Sequence, residues 1–291
     1  MQAVPLLPYA RLPRAHARLE CLSSTVDAVG RTHWLLVEAS HAPGDGPHRV
    51  GPYDAVVVTV DDGRAYETEL SAVTSRHPLL DVLPDGGFVV ADARRGVGDH
   101  VQVFDALGRA SWTFAVGDGI EHLLADESGD LWVGYFDEGV VGDELSRPGV
   151  RRWSAAGGPL WAYDGVPGAG RMVDCYALNV DRRAVWAYPH TDFPLLEIRD
   201  GRPVTARTTP VRGARGIAVH GGRVAFLGGY GQERDRLVLC ELAETAAEPV
   251  SYGALVRHDG ERVVPRRVVS RGSRVYVQDA SSPSWGVYDL S

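Results

Sequence analysis

The chain carries carboxylates, imidazoles, phenols and guanidinium groups in its long, glycine-punctuated segments, the ingredients of acid–base chemistry or polar ligand recognition. Four residues are candidates for catalysis: Glu121 and His122 in "GDGIEHLL", Asp174 in "RMVDCYAL" and His190 in "YPHTDFP". A wider set of candidate ligand-binding residues comprises His77, Asp137, Glu138, Tyr176, Tyr188, Asp192, Arg215, Tyr230 and Arg234, with Asp235 beside them. Each has a competing structural role. Asp137 can cap amides of its own segment, Glu121 and Arg215 can pair with each other, and His190 can pack between prolines. Tyr176 and Tyr188 can anchor packing with hydroxyls bound to backbone.

The motifs of several reaction classes are missing. There is no GxSxG for serine hydrolysis and no HxH, HExxH or calcium-loop pattern. All 30 basic residues are Arg, as a GC-rich genome favours, so lysine Schiff-base chemistry and a lysine-bearing phosphate loop are excluded. Cys21, Cys175 and Cys240 are odd in number and far apart, which argues against a zinc cluster or a disulfide framework. No motif supports a divalent metal, and the cofactor is left unassigned.

The elements that must position these residues follow from a repeat. "LPDGGFVVAD", "DESGDLWVGY", "VDRRAVWAY", "VHGGRVAFLGG" and "SRGSRVYVQD" share a polar turn followed by an apolar run, and "AVGRTHWLLVE" is the first instance. Their aromatics, from Trp34 to Tyr276, recur about every 48 residues, the period of a four-stranded propeller blade. Hairpin signals such as "VQVFDALGRASWTF" and "LLEIRDGRPVTAR" fill the second half of each unit. In "LWVGYF" both side-chain faces are apolar, as in a strand covered on two sides. A β-sandwich is the competing architecture, with less regular spacing.

The expected fold is therefore all-β: one six-bladed propeller domain over 1–291, of four-stranded antiparallel blades. The blades lie at about 23–70, 76–115, 119–163, 171–209, 213–258 and 265–291. The last unit shows only three strands, so the N-terminal strand 16–23 is expected to join it and close the ring. The strand order puts short turns on one face. The other face receives long loops: "SHAPGDGPHRVGP", "ARRGVGDH", "FDEGVVGDELSRPG" and "YPHTDFP", with the crossovers between units. All the candidate residues fall on this second face, around an expected central pocket.

The net charge of −8 lacks the basic bias of a nucleic-acid-binding domain. No stretch is long and apolar enough to span a bilayer, and prolines break up the N-terminus, so no membrane role and a cytoplasmic location are expected. A small-molecule ligand is the expected partner, and a protein partner is the alternative.

"PDGGFVVAD" and "SGDLWVGYFDEGV" resemble blades of the NHL, SMP-30/gluconolactonase-like and two-component-regulator propeller groups. "LWVGYFDEGVVG", "DCYALNV" and "YPHTDFPLLEI" also resemble uncharacterised bacterial six-bladed propellers. The SMP-30-like resemblance implies a divalent metal held by Glu, Asn and Asp, for which Glu121, Asp174 and Asn179 are the residues of that type. Asn179 lies at a turn on the opposite face. Two functions follow as expectations: a small-molecule site, with an enzymatic version that uses acid–base or metal-assisted chemistry, or a non-catalytic interaction scaffold using an aromatic patch of Phe193, Tyr230 and Trp285.

Overall fold

The computed structural model describes residues 2–40, 42, 51–94 and 98–291. Most of "SHAPGDGPHRVGP" and the middle of "ARRGVGDH" lie outside the described residues. The chain divides into two compact units, one of residues up to 10 together with 163–291, the other of 11–162. Two short strands, β1 (Gln2–Pro5) and β2 (Leu7–Ala10), come first and belong to the former unit.

The unit 11–162 holds three antiparallel four-stranded sheets. The first joins β3 (Glu20–Val26), β4 (Thr32–Val37), β5 (Tyr53–Asp61) and β6 (Arg64–Val73) in chain order. The second joins β7 (Pro78–Val82), β8 (Phe88–Asp92), β9 (Val101–Phe104) and β10 (Ala110–Phe114). The third joins β11 (Ile120–Ala125), β12 (Leu131–Tyr135), β13 (Val150–Trp153) and β14 (Pro159–Ala162). A short helix, α1 (Asp137–Gly142), interrupts the third sheet between β12 and β13.

The other unit repeats the form. It contains β15 (Asp174–Val180), β16 (Val185–His190), β17 (Leu195–Ile198) and β18 (Thr205–Arg207), then β19 (Gly216–His220), β20 (Arg223–Leu227), β21 (Arg236–Leu242) and β22 (Ala247–Val256). The last sheet has β23 (Pro265–Arg271), β24 (Arg274–Asp279) and β25 (Trp285–Asp289). Two of these sheets are mixed: β1 adds to β22 in parallel, and one parallel pair, Asn179 with Ser270, links β15 to β23.

Local chemistry explains the elements. In β12 every residue is buried, so the strand has no wet face and reads as a continuous apolar run. The turn before it closes on Asp126, whose carboxylate accepts the Ser128 and Asp130 amides at 2.9 and 3.1 Å. Gly129 supplies the positive φ of 91° that this turn needs. The cores lie between sheet faces. One packs Leu131, Val133 and Tyr135 against Val89, Ala91, Val101 and Val103. Another packs Trp186, Tyr188 and Leu195 against Ile217, Val224 and Phe226.

The strand that completes the C-terminal sheet is not 16–23. Residues 20–26 instead open the first sheet as β3, with Ser23 to Val26 buried against β4. The partner of β25 is β2, in which Leu7 pairs with Val287 and Pro8 with Gly286. Prolines disguise β2 as a non-strand, but an outermost strand tolerates them because one edge of it bonds to nothing in the sheet. Among the described residues no helix is long and apolar enough to cross a membrane.

Candidate functional site

The candidates separate between the two units. In the unit 163–291, the start of β15, the end of β16, the segment 191–194, the crossover 211–215 and the loop 228–235 form one aromatic cluster. Tyr176 is at its centre. It occupies a break in register, since Cys175 pairs with Pro189 and Ala177 with Tyr188, and Tyr176 itself is skipped. Such bulges re-aim a side chain and occur beside functional sites.

Four groups surround the Tyr176 ring. The His190 ring is stacked at 5.7 Å and 23°, Phe193 meets it edge-on at 5.1 Å, and Tyr230 does so at 6.3 Å. The Arg215 guanidinium lies over the ring, 4.0 Å from its centre. The Tyr176 and Tyr230 hydroxyls meet at 3.5 Å. Burial, together with the Tyr230 hydroxyl, pushes the Tyr176 phenol up to about 12, so it is protonated at neutral pH and is a donor.

Tyr230 is 52% exposed, whereas Phe193 is 2% exposed. The Tyr230 ring lies over Gly213, where an added Cβ would approach it to 3.0 Å. Phe193 has φ +56°, a conformation rare for a bulky side chain and doubly so for a residue that precedes proline. Backbone strain of this kind persists only where the surroundings impose it. Phe193 packs on Tyr188 at 5.1 Å, and Arg212 covers its ring at 5.7 Å.

Tyr188 corrects the expectation. It is wholly buried and its hydroxyl donates to the Val211 carbonyl at 2.7 Å, so it forms the floor of the cluster and cannot touch a ligand. Asp174 is the register partner of His190 at the same strand ends. Asp192 and Arg234 are exposed in the flanking loops. Asp235 is buried and held by both nitrogens of the Arg262 fork, which removes it from the candidates.

In the unit 11–162, Glu121 is the residue skipped by the register break of β11, as Tyr176 is in β15. Glu121 is exposed and His122 half-buried. His77 is exposed, and its amide donates to Asp92. That carboxylate also accepts the Arg76 and Arg94 amides at 2.8 and 3.2 Å, which gives it a structural task the sequence did not advertise. Asp137 and Glu138 are not in an open loop but in the first turn of α1. The Asp137 carboxylate accepts the Glu138 amide at 2.8 Å. Glu138 pairs with Arg94, which itself lies over the Phe136 ring at 4.7 Å. Asp137 therefore braces its own turn, and Glu138 ties α1 to the segment that follows β8.

The metal set implied by the SMP-30-like resemblance does not form. Asn179 is fully buried, its amide donates to the Ile217 and Gly272 carbonyls at 2.6 and 2.9 Å, and its oxygen accepts the Gly272 amide at 2.9 Å. Every polar atom of that side chain is committed to backbone. Among the described residues no three His, Cys, Asp or Glu side chains come together as a metal site. The aromatic patch expected of an interaction scaffold is also reduced, because Phe193 and Trp285 are buried and only Tyr230 is exposed.

Comparison with solved structures places these sheets in a known architecture. A streptogramin B lyase matches with a TM-score of 0.51 at 13% identity, over 98% of this chain and 87% of that one. Hsv2 of Kluyveromyces lactis matches with a TM-score of 0.55 at 7% identity, over 94% of this chain and 75% of that one. The virginiamycin B lyase of Staphylococcus aureus has a TM-score of 0.49 at 11% identity, over 92% and 94%. The likeness to the streptogramin B lyase and to Hsv2 shows the fold, a β-propeller. No protein-family model and no curated protein sequence matches the chain.

Proposed function

We propose that this protein is a small-molecule-binding β-propeller and that its site is the cluster around Tyr176. The fold is read further as a ring of six blades, the last completed by β2. One observation carries the functional reading: a partly exposed tyrosine, bulged out of its strand, is enclosed by His190, Tyr230 and Arg215 above a strained, buried Phe193. Polar groups converging on an aromatic surface are the usual make-up of an organic-ligand site. Fold alone does not assign an activity, since propellers host many functions.

An enzymatic version of this reading rests on His190, whose ring stacks on a phenol that stays protonated and whose strand partner is Asp174. Glu121 and His122 belong to the other unit, 11–162.

The test is a thermal-shift screen of a chemically diverse small-molecule library against the wild type and Tyr230→Ala. Compounds that raise the melting temperature of the wild type alone are expected. If no compound stabilises either protein, or if all hits stabilise the variant equally, the site is misassigned.

A further inference from the structure

Residues 2–10 form an arm that joins two sheets of the unit 163–291. β1 lies parallel to β22, with Gln2 opposite Gly253 and Pro5 opposite Val256, and the Leu6 amide donates to the Val256 carbonyl at 2.8 Å. β2 then runs antiparallel to β25. Val4 and Leu6 pack against an apolar cluster that includes Leu255, Val275, Val277 and Leu290. Tyr9 meets the Tyr276 ring at 4.8 Å. The seat is shaped for this segment, since a side chain at Gly253 would collide with Val4 and one at Gly286 with Leu6.

The arm is nonetheless lightly held. None of residues 2–10 is buried, whereas Leu255, Val275 and Val277 of the seat are wholly buried. Segments with few buried contacts open at a fraction of the global unfolding free energy. An arm that leaves uncovers the apolar cluster and the edges of β22 and β25, a surface that favours binding its complement again. The complement shaped for that seat is another copy of residues 2–10. Only Arg11 separates the arm from Leu12, which is buried and belongs to the unit 11–162. A connection this short leaves the arm little freedom on its own chain, a condition that favours exchange between copies.

We infer that residues 2–10 exchange reciprocally between two copies of this chain, each arm filling the other copy's seat on β22 and β25. The exchanged dimer keeps the arm contacts of the monomer, so chain concentration rather than a new surface sets its population.

The intact chain, held just below its melting temperature at two concentrations and then cooled, is sized by chromatography with light scattering. A tenfold rise in concentration is expected to raise the dimer fraction about tenfold while monomer predominates. An excess of the peptide 2–10, but not a scrambled version, is expected to suppress the dimer. Leu7 and Val287 are register partners. A mixture of Leu7→Cys and Val287→Cys chains is therefore expected to form a disulfide between one of each, above the wild-type background from Cys21, Cys175 and Cys240. The dilute double variant Leu7→Cys/Val287→Cys is expected to close within one chain. A chain that stays monomeric at both concentrations overturns the inference. So does a dimer that is indifferent to the peptide, or one without the interchain disulfide while the dilute double variant closes. If the chain stays monomeric and the peptide stabilises a variant lacking residues 2–10, the seat accepts foreign strands and the exchange falls.

Discussion

Phe193 meets the ring of Tyr176 edge-on, 5.1 Å between centroids, while its own backbone is held at φ +56°. The side chain is 2% exposed, so the strain is imposed by packing on Tyr188 and Tyr176 and by the fixed Pro194 that follows. Phe193→Ala is expected to destabilise the protein by about 3–5 kcal/mol, the range for a buried phenylalanine. Phe193→Gly, which accepts the positive φ freely, is expected to lose about 1 kcal/mol less than Phe193→Ala. Urea denaturation of the three proteins reads the difference. An alanine variant more stable than the glycine one shows that the backbone is not strained.

Asn179 is a structural residue. Replacing it with Ala leaves the Gly272 amide without its partner and takes the Asn179 donor from the Ile217 and Gly272 carbonyls, the latter keeping the Val219 amide at 2.8 Å. A loss of about 2–4 kcal/mol is expected. The same loss in buffers with and without calcium, measured by thermal denaturation, is the outcome that separates this role from metal binding.

The first sheet carries an acid-sensitive contact. Asp27 is 1% exposed, and burial by itself raises its pKa. The His33 ring at 3.0 Å and the Arg31 guanidinium at 2.7 Å outweigh that and bring the carboxyl down to about 2 from 3.8. A carboxyl depressed by folding contributes stability that is complete above the unfolded pKa and is lost as pH falls through the folded one. About 2 kcal/mol is therefore expected to disappear between about pH 4 and pH 2. In Asp27→Asn that contribution to the pH dependence vanishes, as urea midpoints measured across this range will show.

The N-terminal segment is seated by two glycines. A Cβ at Gly286 would lie 2.5 Å from Leu6 Cγ, and one at Gly253 would lie 2.8 Å from Val4 Cγ2. Gly286→Ala is expected to destabilise the full chain by about 1–3 kcal/mol through overpacking. Combined with removal of residues 2–10, the same substitution is expected to add nothing further. Additive effects in this double-mutant cycle contradict the contact.

Glu138 and Arg94 form an ion pair whose side chains are 68% and 54% exposed. Such pairs contribute little, so Glu138→Gln is expected to shift stability by less than about 1 kcal/mol. A loss beyond 2 kcal/mol in thermal denaturation contradicts a bracing role confined to the surface.

Much of the β architecture was legible because its causes are local. Alternation, apolar runs such as Leu131–Tyr135 and turn residues such as Asp126 and Gly129 act within a few positions, so four-stranded antiparallel sheets can be read along the chain. The N-terminal strand was misplaced because its pairing depends on an edge some 280 residues away, and prolines hid it. The candidate site was only partly legible. Tyr176, His190, Arg215 and Tyr230 were recognisable as residues that could do chemistry, but their meeting requires a register break at Tyr176 that no composition signals. Tyr188 and Asp235 carry the same functional groups, and burial turns them to packing and to Arg262.

The sequence by itself determined the strand period and the turn chemistry, because each follows from neighbouring residues. Only the tertiary structure decided which polar groups share a surface and which are consumed as structure. That outcome depends on bulges, on burial and on partners far apart in the chain, such as Asn179 with Gly272 and Asp235 with Arg262.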